Sequence, residues 1–195
     1  MTGPVERLAA ALTELLAPVV LAYVTCLAIA VATTEPVWRG VVVGIVVATS
    51  CAGLPYLLIL VASRRQLLSG RHVPELRERP GILLLCAVAA VAGLALAVVL
   101  RASPAVFALV ASTVVGLGVA AAISTGWKLS IHLAAAAGAL CATTLTLTPW
   151  LLVASPALIA LGWARVHLGD HDVAQVLGGA VVGAGVTALV MLTLL

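Results

Sequence analysis

The sequence predicts an all-α fold: a polytopic integral membrane helix bundle of six to seven transmembrane helices, forming one domain over residues 1–195. Two observations predict it. First, 64% of the residues are hydrophobic and 9% are charged. An average soluble domain is about 45–50% apolar and about 25% charged. So little polar surface cannot cover a water-facing globule, which sets aside disordered, fibrous and nucleic-acid-binding classes. A net charge of +3 is too weak and too scattered to attract a polyanion. Second, the apolar residues gather in runs of span length, and a span takes about 20 of them.

The first run covers residues 11–33, after Glu6 and Arg7. It reads as a span and not a cleaved signal, because no small-residue cleavage site precedes a polar mature domain. The second covers 41–62. The stretch SRRQLLSGRHVPELRERP, residues 63–80, then interrupts with five arginines, two glutamates and a histidine. The third run is 82–100, closed by a turn at Arg101, Ser103 and Pro104, and the fourth is 105–123. The polar patch STGWKLSIH occupies 124–132. The fifth run is 131–147, ending at Thr148 and Pro149. The sixth, 150–164, is short but bounded by turn signals, and residues 165–172 are polar again. The last run is 173–195. Small residues let helices approach closely in lipid, and Gly178, Gly179, Gly183 and Gly185 point to tight packing of the last helix. They are not a nucleotide-binding loop, since no strand precedes them. Cys26, Cys51, Cys86 and Cys141 lie inside apolar runs without metal-site spacing and read as small buried hydrophobes. Trp38, Trp127, Trp150 and Trp163 fall near span ends, as aromatic belts do.

Seven spans bring the N-terminus and the segments 63–80, 124–132 and 165–172 to one side. That side holds His72, His132, His167 and His171, together with Lys128 and Arg7, Arg64, Arg65, Arg71, Arg77, Arg79 and Arg165. The other side holds Glu35, Arg39 and Arg101. The positive-inside rule explains part of this bias and puts the basic face in the cytoplasm, with the protein in the plasma membrane. It does not explain the histidines. His132 and His171 lie at helix ends, where ionisable groups are costly to hold near hydrocarbon.

Arginine forks match phosphate oxygens, and histidine serves as nucleophile, acid or base near neutral pH. Two histidines with two or more arginines make a phosphoryl-transfer site that needs no metal and no cofactor. A metal site would want clustered carboxylates, and only Asp170 and Asp172 lie near the last patch. His167 reads as a solvated or interfacial residue. Glu14 reads as a partner for an arginine of the 63–80 loop, and Glu75 and Glu78 as local partners of Arg71 or Arg79.

Three segments, 71–80, 128–132 and 165–175, resemble the motifs of the type 2 phosphatidic acid phosphatase superfamily, the membrane lipid-phosphate phosphatases. The third, ARVHLGDHDVAQVLGGA, has the family's spacing from Arg165 to His171. The second, WKLSIHLAAAAGA, puts Ser130 and His132 on the family's serine and histidine. The first, RHVPELRERP, puts Arg79-Pro80 on its Arg-Pro. The similarity covers roughly residues 64 to 190 and is nearest to small actinobacterial members. It implies that His171 is the nucleophile, giving a phosphohistidine, and that His132 is the general acid and later the base. It implies that Arg165, Arg79 and Ser130 bind the phosphoryl oxygens. The chain departs from the pattern at several positions. The family's lysine is His72, so Arg71 or Lys128 would supply the cation. Leu129, Ile131 and Ala164 replace a proline, a glycine and a serine. The family's final aspartate, which orients the nucleophile, is Gln175, one helical turn from His171. Its amide oxygen can still accept from the imidazole.

The expected activity is metal-independent hydrolysis of a lipid phosphate monoester or diphosphate. The substrate would be a polyprenyl phosphate or diphosphate, phosphatidic acid or phosphatidylglycerol phosphate, its headgroup entering at a helix-end interface while its tails remain in the bilayer. The alternatives are a non-catalytic homologue that binds an anion or lipid headgroup, and a lipid phosphotransferase using the same site.

Overall fold

The computed structural model describes residues 3–66 and 76–195, and all regular structure among them is helical. The first apolar run forms two helices, α1 (Pro4–Leu15) and α2 (Pro18–Thr33). Proline disfavours helical backbone in the residue before it, and Ala17 is extended at φ −62°, ψ 146°. The two axes therefore meet at 43°. The helical segment also starts earlier than the hydropathy suggests, because Glu6 reaches back 2.9 Å to the amide of Gly3 and caps α1.

The second run is one long helical segment with a flaw in its middle. α3 (Val37–Ala48) passes into a π turn at Thr49–Gly53 and then into α4 (Leu54–Arg64). Pro55 has no N–H to give, and its ring crowds the carbonyl of Cys51 one turn back; the wider π turn absorbs both. Four further helices follow: α5 (Arg79–Val99), α6 (Pro104–Ile123), α7 (Ile131–Thr146) and, after a 3₁₀ turn at Pro149–Ala154, α8 (Pro156–His167). α9 (Val173–Leu194) ends the chain. Prolines open α5, α6 and α8 at positions where their missing N–H costs nothing.

Among the described residues, five helical segments are long and apolar enough to cross a membrane, and the bent α1–α2 pair makes a sixth. The chain is thus an integral membrane helix bundle. The segment expected to be short is not: the 3₁₀ turn and α8 together run for 19 residues. α7 is the short one, with 16 residues. It is about 24 Å long against a hydrocarbon core of roughly 30 Å.

The two ends of the bundle are fixed by polar contacts. At one, Thr33 and Ser103 hydroxyls lie 2.6 Å apart. Arg39 donates there to the carbonyls of Leu100 (3.0 Å) and Arg101 (3.1 Å), closing the C-terminus of α5. The other end gathers the starts of α5, α7 and α9 and the end of α8.

α7 and α9 run parallel in close contact. Ser130, Ala134 and Gly138 on or beside one helix meet Gly179, Gly183 and Thr187 on the other, each pair four residues beyond the last. A Cβ on Gly179 would overlap the Ser130 carbonyl, and one on Gly183 the Ala134 carbonyl. Gly178 leaves room for the Trp127 ring, whereas Gly185 faces open space. Lipid provides no hydrophobic drive between helices, so such backbone approach is what binds them. Gly183→Leu is expected to lower the thermal midpoint in detergent by about 5–10 °C, as an overpacked interface costs ~1–3 kcal/mol or more. Gly185→Leu should leave the midpoint within about 2 °C, and equal losses in the two variants would contradict this packing.

Candidate active site

The site starts with a helix end. α8 stops after His167, and Gly169 adopts φ +71°, a conformation that suits glycine. The chain then folds back, so that the amides of Asp170 and His171 both donate to the Arg165 carbonyl, at 3.1 and 3.3 Å. His171 is thereby held beside Arg165, outside both helices. Asp172 caps α9, its Oδ1 accepting the Gln175 amide at 2.8 Å. One turn into the helix, Gln175 Oε1 lies 2.9 Å from His171 Nδ1. An amide oxygen only accepts, so Nδ1 carries the proton and Nε2 keeps its lone pair.

Burial is the main force on His171 and pushes its pKa down to about 4. The Gln175 bond works upward, and the charges of Arg165, Arg79 and Lys128 work downward. At neutral pH the ring is the neutral, nucleophilic form.

Arg79 opens α5 as a buried guanidinium, with Nη1 donating 2.8 Å to the Leu129 carbonyl. That carbonyl immediately precedes Ser130, whose amide donates 3.2 Å to the Gln175 carbonyl and ties the start of α7 to α9. Ser130 is fully buried, and its Oγ has no hydrogen-bond partner among the described residues. A buried hydroxyl is rarely left so unless something else occupies the place beside it. Arg165, in the last turn of α8, is 3% exposed and forms an ion pair with Asp170 through Nη1 at 2.9 Å. Its Nε has no partner among the described residues. His132, the second residue of α7, is buried as well.

Arg79, His132, Arg165 and Glu14 line one end of a cavity of about 330 Å³ inside the bundle. Ser130 and His171 belong to the same end through the bonds above, without lining its wall. Two buried guanidiniums whose charges act on each other meet here, with Asp170 paired to Arg165 and the Glu14 charge also acting on Arg165, so the place combines anion-binding forks with carboxylates that partly offset them. Among the described residues no three His, Cys, Asp or Glu side chains gather as a metal would require.

The structure brings Arg79, Ser130, His132, Arg165, His171 and Gln175, the residues singled out in the sequence, together at one end of the bundle. Lys128 is half-buried, and its charge reaches His171, but it does not line the cavity. Arg71, His72 and Glu75 lie outside the described residues. His167 is exposed and stacks on Trp163, the ring centroids 5.2 Å apart and the planes at 17°. Glu14 lines the cavity, and its charge acts on Arg165. Sequence reasoning missed the partner of Arg79, because a backbone carbonyl carries no side-chain signal. It also missed the Arg165–Asp170 pair; their five-residue separation across a glycine-ended helix was the available clue.

No protein-family model, curated protein or solved structure matches the chain.

Proposed function

We propose that the protein is an integral-membrane lipid-phosphate phosphatase acting through a phosphohistidine, as its resemblance to the type 2 phosphatidic acid phosphatases implies. One observation carries this reading: two buried arginines and a histidine, with Glu14, close the end of a mostly apolar cavity, beside a second, neutral histidine whose Nδ1 is held by Gln175. Anion binding alone needs the arginines. It does not need an imidazole with its tautomer fixed.

This reading assigns the steps as follows. His171 Nε2 attacks phosphorus in line, forming an N–P bond as the bond to the leaving oxygen breaks. Arg79, Arg165 and the Ser130 hydroxyl hold the equatorial oxygens while charge redistributes. His132 gives its proton to the leaving alkoxide. Water then attacks the phosphohistidine, His132 takes its proton, and phosphate leaves with the His171 lone pair restored. Gln175 keeps Nδ1–H in place throughout but offers no full charge to the imidazolium. On this reading the protein lies in the plasma membrane with the site on the cytoplasmic face, an orientation that the excess of arginine and lysine on that face supports.

The test is phosphate release by the purified protein in detergent with EDTA. The panel is phosphatidic acid, phosphatidylglycerol phosphate and polyprenyl mono- and diphosphates. Release from at least one is expected; a strict magnesium requirement would contradict the metal-independent chemistry. Absence of release without an added alcohol, and its appearance with one, would assign a phosphotransferase instead.

Gln175→Asp tests the orienting contact. His171 acts in its neutral form, so activity is present above its pKa and lost as the pH falls through it. For the native protein that acid limb of kcat/KM belongs near pH 4. A carboxylate facing Nδ1 stabilises the imidazolium and raises the pKa, so the limb moves up towards the ordinary value of about 6.5, with kcat unchanged or higher. A limb that stays in place, or a large loss of kcat, would mean that residue 175 orients something else.

A further inference from the structure

We infer that the apolar part of the cavity is a site for one hydrocarbon chain, admitted from the bilayer between α2 and α4, so that the substrate is a single-chain lipid phosphate. This rests on reading the polar end as the phosphate site. The cavity that Arg79, His132 and Arg165 close at one end is lined further in by Ala22, Val47, Leu109 and Val186. Along α6 its wall extends from Ala120 to Leu109, about 16 Å, or roughly half the hydrocarbon thickness. The hydroxyls on that α6 wall are satisfied within the helix. Ser112 and Thr113 both donate to the Leu109 carbonyl, at 2.7 and 3.0 Å, so neither needs a polar partner from the cavity. An apolar cavity stays dry and takes apolar ligands. One of about 330 Å³ lies at the small end of ligand pockets, which fits one chain and not a pair.

The way in comes from the π turn. α3 packs tightly on α2, where a Cβ on Gly40 or Gly44 would meet the backbone of Ala30 or Leu27. At Thr49–Gly53 the segment is pinned to α2, the Tyr23 hydroxyl 2.8 Å from Thr49 Oγ1 and beside Gly53. Beyond that point α4 packs on α5, and among the described residues it makes no contact with α2 comparable to that of α3. Pro18 and Ala22 on α2, and Tyr56 and Ile59 on α4, line the same cavity from its two sides. A chain entering there need not leave hydrocarbon at any stage, while its phosphate meets the arginines. This alters the expectation that the tails stay wholly in the bilayer.

The probe is hexadecyl phosphate with a diazirine at the chain end, crosslinked to the purified full-length protein in detergent. Label is expected on the α6 and α9 segments around Thr113 and Val186. A Cβ on Gly116 would meet only Val186, at 3.9 Å, so Gly116→Leu fills the cavity without disturbing the backbone. That variant should lose labelling and about tenfold in kcat/KM for hexadecyl phosphate, the worth of roughly two buried methylene groups. Its hydrolysis of butyl phosphate should stay within about twofold. Label on the outward-facing Val91 and Val181, unchanged by Gly116→Leu, would overturn the site. Phosphatidic acid that competes with the probe as well as unlabelled hexadecyl phosphate would overturn its single-chain character. Labelling is read without turnover, so specific crosslinking in a protein that hydrolyses nothing would sink the phosphatase reading and keep the chain site.

Discussion

His171→Ala should reduce phosphate release to the level of protein-free controls, a loss of at least about 10³-fold in kcat. The size of the effect follows from the role. The phosphoryl group must bond to Nε2, and alanine has no atom to receive it. Loss of an orienting or binding residue would leave part of the rate; loss of the attacking atom leaves only what electrostatic stabilisation of direct water attack can supply. His171 is buried in the turn between α8 and α9 and bonded to Gln175, so the alanine variant gives up packing as well as the nucleophile. Its thermal midpoint is measured alongside, and His171→Gln, which keeps most of the side chain without an attacking imidazole, should lose the same activity at a midpoint near the native one. His171→Ala protein that retained more than a tenth of the native rate would remove this residue from the chemistry.

His132→Ala should cost about 10²–10⁴-fold, with a dependence on the leaving group that no structural role would mimic. An alkoxide leaves poorly without a proton, so an alkyl or prenyl phosphate should show the full loss. Nitrophenolate leaves without help, so p-nitrophenyl phosphate should lose far less in the step that forms phosphohistidine. His132 also activates water in the second step. For the nitrophenyl ester the variant should then release a burst of nitrophenol and stall as phosphoenzyme. Equal losses for both substrates, with no burst, would make His132 a binding residue.

Much of this cluster was legible because its geometry is local. Arg165 and His171 are close in sequence, and the helix end between them brings His171 back onto the Arg165 carbonyl. His171 and Gln175 are four residues apart, and the turn that holds His171 just before the Asp172 cap completes the contact that this spacing suggests. Ser130 and His132 joined them because alternating spans place segments 124–132 and 165–172 at the same end. The tight α7–α9 contact was legible in part. Residues 179, 183 and 187 share one face of a helix and meet α7, but 185 points elsewhere, and no count of glycines reveals which face is covered.

The cavity was not legible. Its walls come from helices far apart in the chain, and two of the segments that line it carry a break, at Ala17–Pro18 and at the π turn before Pro55. Each is a single proline in an apolar run, and hydropathy averages over it. The same averaging made residues 150–164 look short, although the 3₁₀ turn lengthens that segment, and hid that α7 is the shorter helix. That the Ser130 hydroxyl has no partner among the described residues is likewise a tertiary fact: a serine before a helix normally caps it, and here the side chain does not.

The most direct measurement is to trap the intermediate. The protein is mixed with a ³²P-labelled substrate from the lipid panel, quenched in alkali within its first turnovers, and digested for peptide mapping. A phosphohistidine survives alkali and is lost in acid. The proposed mechanism gives protein-bound label with that stability on the peptide containing His171, less of it in Gln175→Asp if water attack is accelerated, and none in His171→Ala. Turnover with no protein-bound label at any time, or label on a residue other than His171, would contradict it.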